Sequence, residues 1–283
     1  MALKDILVHL DTDPRTAARL GIAADLAIRH GASLTGLYVV DVPNTDYFYG
    51  AGLPMAGLGP DQLVDIMISE ARAAAVPVEE NFKQVLNLNN LPGEWRLVEG
   101  QTAPILSADA RYADLLIVGQ PDDPRRQDQR GRLAVETALM TSGRPVLTIP
   151  YAGEFSNLTD HVLIAWNGSR EATRAVHDAL PLLRTAGAVT ILAVNPSMPD
   201  ADDETPRTDL AVHLARHDIE AQTNRTVADE ISDGEALLSY ASDISATMIV
   251  AGGYGHSRAR EMIFGGVTRT LMTEMTVPIF FSH

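Results

Sequence analysis

The residues with the clearest chemical meaning are three glycines near the end of the chain, spaced Gly252-x2-Gly255-x9-Gly265. They follow a short apolar segment and lead into a stretch of helical character, so they belong to a strand-to-helix turn. Glycines let the backbone approach a ligand, and free N–H groups at a helix start attract anions. The turn therefore predicts phosphate binding, with His256 as a further contact; a plain structural connection and a solvent-facing histidine are the alternatives.

Other chemistries find little support in the sequence. The chain has no cysteine, and its only lysines are Lys4 and Lys83, so the second half has no phosphate-loop or Schiff-base lysine. His213 and His217 lie four apart on a predicted helix and could share a metal, but no third ligand is apparent and two surface histidines are favoured. Ser169 is expected to cap a helix rather than act as a nucleophile. We predict no catalytic residue and no metal site.

Length and charge narrow the class of protein further. A chain of 283 residues with 46% hydrophobic residues can form two domains, and its net charge of −15 is spread over both halves. An acidic protein repels nucleic acid and anionic membranes, so we expect neither as a partner. The first residues lack the uncharged apolar run of a signal peptide, because Asp5, Asp11 and Asp13 interrupt it. We expect a soluble cytoplasmic protein.

An internal repeat organises the chain. ADLLIVG from Ala113 resembles ATMIVAG from Ala246, at an offset of 133 residues. DILVHLD from Asp5 resembles HVLIAWN from His161, at an offset of 156. Because the offsets differ, the first copy is about 23 residues longer in its middle. We predict two tandem domains, residues 1–152 and residues 153–283.

Each copy reads as alternating strands and helices. In the first copy, strand 5–10 leads to a helix with Asp13 as cap and Pro14 at its first position. Gly31 should end that helix before strand 33–40. The second copy predicts strands 162–166, 189–194, 219–227, 246–251 and 277–281, with helices near 170–186, 208–217, 235–244 and 260–275. Short connections favour parallel pairing. The fold class is α/β: two tandem flavodoxin-like or Rossmann-like domains, each with a five-stranded parallel sheet and helices on both faces.

The extra length of the first copy falls at residues 44–60, where glycine, proline and aromatic residues cluster. We interpret it as a strap on its own domain, with a partner or ligand surface as the alternative. A helix from about Asp61 to Phe82 should follow, with its apolar face formed by Leu63, Ile66, Met67 and Ala71.

The glycine spacing, together with Asn167 at the end of a strand, resembles the universal stress protein family. Members of that family that bind ATP carry Gly-x2-Gly-x9-Gly followed by Ser or Thr. The resemblance implies that Asn167 reaches the adenine and that Val194 flanks it. It also implies that ribose and phosphates are held by Gly252, Gly255, Gly265, Gly266, Val267 and Thr268.

This sequence departs from the family pattern in informative places. Gly266 stands where the pattern has Ser or Thr, and Asn167 stands where it favours Asp. The first copy replaces the second and third glycines and the residue after them by Asp122, Arg132 and Leu133. We therefore expect nucleotide binding in the second domain only, with a degenerate first domain.

The resemblance implies a stress-response regulatory protein that binds ATP, with or without Mg²⁺, and at most hydrolyses it slowly. A nucleotide-free interaction module of the same fold is the alternative. The family also implies that the two domains pair within the chain through their last strands, residues 146–149 and 279–282. A homodimer of the whole chain is a further expectation.

Overall fold

The computed structural model describes residues 2–42, 59–120, 129–195, 205–255 and 266–283. Within these ranges the strands are β1 Asp5–Leu10, β2 Ser33–Asp41, β3 Gly93–Gly100, β4 Leu115–Gly119, β5 Val146–Ile149, β6 His161–Ala165, β7 Ala188–Val194, β8 Gln222–Thr226, β9 Met248–Gly252 and β10 Ile279–Ser282. The helices are α1 Thr16–His30, α2 Pro60–Asn89, α3 Thr102–Ala110, α4 Gln129–Thr141, α5 Arg170–Leu183, α6 Thr205–Ala215, α7 Asp233–Asp243 and α8 Gly266–Glu274.

The ten strands form one sheet in the order β3-β2-β1-β4-β5-β10-β9-β6-β7-β8. Each half contributes five parallel strands in the same internal order, so β6 to β10 repeat the arrangement of β1 to β5. This order is that of a doubly wound α/β sheet, in which the strand order reverses beside the first strand of each half. The predicted fold class is confirmed.

The two halves meet at the predicted strands. β5 and β10 pair antiparallel, with Phe280 opposite Leu147 and Phe281 opposite Val146. Every residue of both strands is buried. Each half would otherwise expose an apolar edge strand, and the pairing satisfies both edges at once.

Helices cover both faces of the sheet and create two apolar layers. α1, α2, α5 and α6 pack with alternate strand residues such as Ile6 and Val8 on one face. α3, α4, α7 and α8 pack on the other face, against strand residues such as Leu7. Each layer contains residues from both halves, so the core is continuous across the β5–β10 junction. No described helix is long and apolar enough to cross a membrane.

The predicted boundaries of α1, α5 and α6 are wrong by two or three residues, and α6 is Thr205–Ala215 where residues 208–217 were predicted. α1 begins at Thr16 instead of Pro14, because the Asp11 and Asp13 carboxylates accept the N–H groups of Asp13 and Arg15 and form a turn ahead of the helix. α5 ends at Leu183 instead of residue 186. Gly187 is not its left-handed cap; a Cβ there would lie 2.8 Å from the carbonyl oxygen of Asp160.

The helix after the insertion is longer than predicted and presents a different face. α2 continues to Asn89, and Ile66 and Met67, both assigned to its apolar face, are exposed. Phe82 sets the rotation of the helix, because its ring fills the space beside Gly36 and packs against Trp95. The predicted strap, with Tyr47, Phe48, Tyr49 and Met55, lies outside the described residues.

Candidate functional site

A pocket of about 340 Å³ opens in the second half at the carboxyl ends of β6, β7 and β9. This is where the strand order of the second half reverses, the usual ligand position of such sheets. The first residues of α5 and α8 reach the same pocket, so two helix N-termini face it.

The pocket unites residues that are distant in sequence. It is lined by the predicted site residues Asn167, Val194, Gly252, Gly255, Gly266, Val267 and Thr268. The remaining predicted residues, His256 and Gly265, lie outside the described part of the chain. Apolar walls come from Ala165, Trp166, Ala172, Leu192, Leu237 and Ala251. The predicted juxtaposition of the strand ends with the glycine turn is therefore present.

Asn167 and Ser169 build the start of α5. The backbone N–H of Ser169 donates to Asn167 Oδ1 at 3.1 Å, and the N–H of Ala172 donates to Ser169 Oγ at 3.1 Å. Ser169 is thus the helix cap that the sequence predicts. Oδ1 of Asn167 accepts one hydrogen bond in this turn and keeps a second lone pair, so both its oxygen and its Nδ2 group can meet a ligand.

The glycine turn is fixed by its packing against two helices. A Cβ at Gly252 would lie 2.5 Å from Ala172 N and 2.6 Å from the Glu171 carbonyl carbon, so this glycine makes room for α5 and not only for a ligand. Tyr254 has a positive φ of 54°. Its N–H donates to Thr268 Oγ1 at 3.1 Å, which ties the turn to α8. Thr268, considered above as a phosphate contact, therefore also supports the turn.

The other two described glycines of the site are open. Among the described residues, a Cβ at Gly266 would have no atom within 4 Å, and one at Gly255 would meet only Glu171 Oε2, at 3.5 Å. Neither has a positive φ. Their value to the site is the free space that they leave in front of the α8 N-terminus.

Sequence reasoning missed Glu171 as a functional candidate. Only 7% of this residue is exposed, and its Oε2 is buried without a hydrogen-bond partner among the described residues. The other carboxylate oxygen lies 3.5 Å from Nε of Arg170, whose side chain is 79% exposed. The available signal was its position in the first turn of a helix that follows a strand-end polar residue. Trp166 Nε1, also in a residue lining the pocket, is a second buried group without a partner.

The described side chains that line the pocket give it a negative charge. Glu171 and Asp233 line it, and the described lining contains no lysine or arginine. The carboxylate of Asp233 accepts from Asn195 Nδ2 at 2.8 Å. Glu171 is therefore the charged side chain of the described wall that has an unsatisfied atom inside the protein.

The equivalent place in the first half is filled differently. Arg19, which is 4% exposed, donates to Asp11 Oδ1 at 2.8 Å and to Thr16 Oγ1 at 2.7 Å. Its guanidinium occupies the space where a Cβ of Gly119 would stand. Burial by itself would raise the pKa of Asp11, but the charges of Arg19 and His9 and a hydrogen bond from Thr16 lower it to about 2.

The histidines considered as metal ligands have a third neighbour. The ring of His213 lies 4.8 Å from that of His217 and 5.1 Å from that of His177, between ring centroids. Sequence spacing could not reveal His177, which comes from α5. Among the described residues no group of histidines and carboxylates has a geometry that could hold a metal ion.

Comparison with known proteins agrees with this architecture. Residues 159–282 match the model of the Universal stress protein family. The stress response protein NhaX of Bacillus subtilis is 22% identical over 158 residues, which cover 42% of this chain and 95% of NhaX.

Two solved structures cover almost the whole chain. A universal stress protein from Archaeoglobus fulgidus superposes with a TM-score of 0.75 at 18% identity, covering 98% of this chain and 97% of that one. A Pseudomonas aeruginosa protein assigned to the same family gives a TM-score of 0.64 at 14% identity, covering 99% of this chain and 93% of that one. At these identities the likeness establishes the shared fold. It is therefore the second half of the chain, residues 159–282, that is similar to the universal stress protein family.

Proposed function

We propose that the second half of the chain binds an adenine nucleotide, ATP, and that the protein acts as a stress-response regulator. The observation that carries the proposal is the pocket between β6, β7 and β9, into which the glycine turn and the N-termini of α5 and α8 all open. Helix N-termini offer N–H groups and a partial positive charge to phosphates. The apolar walls, including Val194 and Leu237, suit the faces of a purine ring.

The adenine would lie beside Asn167 and Val194, and the phosphates before Gly255, Gly266 and Thr268. His256 and Gly265 belong to this assignment from the sequence alone. The regulatory role rests on the family match of residues 159–282 and on the likeness to NhaX, which is named as a stress response protein.

The first half is proposed to bind no nucleotide. Its cavity, about 250 Å³, is lined by the Asp11–Arg19 ion pair, in which the guanidinium is buried over the glycine at the end of β4. A nucleotide would have to displace a guanidinium that already has its counter-ion and hydrogen bonds. Separating a buried guanidinium from its counter-ion is strongly unfavourable.

ATP is proposed to act as a retained effector and not as the substrate of a fast ATPase. Rapid phosphoryl transfer needs neutralised phosphate charge and a positioned water, which dedicated enzymes supply with a phosphate-loop lysine and a held metal. The second half has no lysine. Bound ATP would then stabilise the folded state by mass action. The β5–β10 pairing supports a further proposal, that the two halves act as one internal pseudo-dimer.

The experiment compares two aspartate substitutions at equivalent positions of the repeat. In Gly266→Asp the new side chain meets no described atom but puts a negative charge before the α8 N-terminus, so affinity for ATP in excess Mg²⁺ should fall at least about tenfold. Leu133→Asp, at the corresponding position of the first half and 57% exposed, should leave affinity unchanged.

Titration calorimetry measures both affinities, and mass spectrometry of the purified protein detects retained nucleotide. Phosphate release should stay far below about 1 per second, the lower end of ordinary enzyme turnover. Equal affinities in the two variants would contradict the assigned site. Complete lack of nucleotide binding by the unsubstituted protein would favour the nucleotide-free interaction module.

A further inference from the structure

The side chain of Glu171 has an unsatisfied carboxylate oxygen, and the proposed nucleotide does not by itself supply a partner for it. Its Oε2 is buried, lacks a hydrogen-bond partner and lies 3.5 Å from the place where a Cβ of Gly255 would stand. The carboxylate therefore borders the space in front of the glycine turn. A buried acceptor of this kind needs a hydrogen-bond donor or a cation.

Within the described residues, no group hydrogen-bonds to this Oε2. The described lining of the pocket contains no basic side chain, and Asp233 adds a second carboxylate to it. Arg170 pairs with the other carboxylate oxygen, Oε1, at 3.5 Å, and 79% of its side chain is exposed. A ligand in the pocket can therefore bring the donor or cation that Oε2 lacks among the described residues.

Free nucleotide phosphates do not provide such a partner. At neutral pH they carry negative charge and present acceptors, so they would repel the carboxylate of Glu171. A divalent cation reverses the sign of this interaction, because carboxylate and phosphate oxygens are both ligands that Mg²⁺ prefers.

We propose that Glu171 makes nucleotide binding in the second half dependent on a divalent cation, by providing the protein's carboxylate ligand for a cation that the phosphates carry. This inference rests on the proposed function and adds to it the form of the ligand: the metal complex of the nucleotide and not the free polyphosphate. The donor set fits Mg²⁺, since it combines one carboxylate with phosphate oxygens. The first half has Arg15 at the position that corresponds to Glu171.

The test measures affinities for ATP by calorimetry in excess Mg²⁺ and in EDTA, with adenosine as a ligand that lacks phosphate. The unsubstituted protein should bind the Mg²⁺ complex at least about tenfold more tightly than metal-free ATP. In Glu171→Gln this ratio should fall toward one, mainly because metal-free ATP binds more tightly. Glu220→Gln, an exposed site in the same half, removes the same charge and should keep the original ratio.

A second readout follows the metal directly. With Mn²⁺ in place of Mg²⁺, the electron paramagnetic resonance spectrum of the ternary complex should change in Glu171→Gln and not in Glu220→Gln. Circular dichroism and thermal unfolding confirm that both variants fold.

The outcomes separate the inference from the proposed function. Equal affinity of the unsubstituted protein for ATP with and without metal overturns the inference while leaving nucleotide binding intact. Loss of adenosine binding in Glu171→Gln also overturns it, since the carboxylate would then accept a ribose hydroxyl. If neither ATP nor adenosine binds under any condition, the proposed function itself fails.

Discussion

Three positions, in the turn before the first helix of each half and in the first residues that follow, distinguish the two halves at the scale of single residues. Aligned on β1 and β6, Asp11 corresponds to Asn167, Arg15 to Glu171 and Arg19 to Ala175. In both halves the first of these positions accepts the N–H two residues further on, so the turn is preserved when Asp becomes Asn. The other two positions decide the charge of the cavity at the strand ends. In the first half the guanidinium of Arg19 fills this cavity, whereas in the second half Ala175 leaves it open and Glu171 makes it acidic.

The first-half ion pair makes a pH-dependent contribution to stability. The pKa of Asp11 falls from 3.8 to about 2 on folding, so its carboxylate stabilises the folded state above pH 3.8, and this contribution is lost as the pH falls toward 2. Asp11→Asn should lower the free energy of unfolding by about 1 to 2 kcal/mol at pH 6, allowing for a carboxylate that is partly exposed. Near pH 2 the two proteins should be equally stable, because protonated Asp11 resembles Asn.

Urea denaturation at several pH values measures this difference. Asp25→Asn removes a carboxylate from α1, where it forms a partly exposed pair with Arg29, and should show little change. A difference between Asp11→Asn and the unsubstituted protein that persists unchanged at pH 2 would contradict the role of the carboxylate.

At the scale of elements, the decisive contact is between the end of β9 and the start of α5. Gly252→Ala would press a methyl group against the backbone at Glu171 and Ala172, which cannot give way as a side chain could. We expect a loss of about 1 to 3 kcal/mol in the free energy of unfolding. Gly255→Ala, three residues on, has ordinary contact distances and should be neutral or slightly stabilising.

Thermal and urea unfolding of this pair of variants checks the prediction. Similar stability of the two would mean that α5 can move away from the turn, and that Gly252 serves only a ligand.

At the scale of the whole molecule, the continuous core predicts that both halves unfold together. Phe280 is fully buried, lies opposite Leu147 of the first half, and belongs to a layer shared by both halves. Phe280→Ala should therefore destabilise the entire chain by about 3 to 5 kcal/mol. The two tryptophans report on the halves separately, because Trp95 belongs to the first and Trp166 to the second.

Single-tryptophan versions, Trp95→Phe and Trp166→Phe, allow each half to be followed by fluorescence. With and without Phe280→Ala, the two reporters should give coincident transitions that shift together. A shift of the Trp166 transition alone would show that the halves are independent.

The sequence by itself determined the repeated α/β architecture and the region of the site. Alternating apolar strands and helices are local patterns, and the 133-residue repeat shows them twice. Parallel strands place their carboxyl ends at one edge of the sheet, so the sequence predicts that the turn after Trp166 and the glycine turn lie together. The resemblance to the universal stress protein family added the roles of Asn167 and Val194 at that edge. The pairing of β5 with β10 was also predictable, because two apolar edges need a partner.

Only the tertiary structure decided what each residue does within that frame. The rotation of α2, which leaves Ile66 and Met67 exposed, depends on where Phe82 fits beneath Gly36. The approach of His177 to His213 depends on the packing of two helices. Above all, the orphaned oxygen of Glu171 and the guanidinium of Arg19 over Gly119 follow from burial and from which partners lie within reach. Burial and hydrogen-bond partners depend on residues that are distant in sequence, so a local sequence pattern cannot predict them.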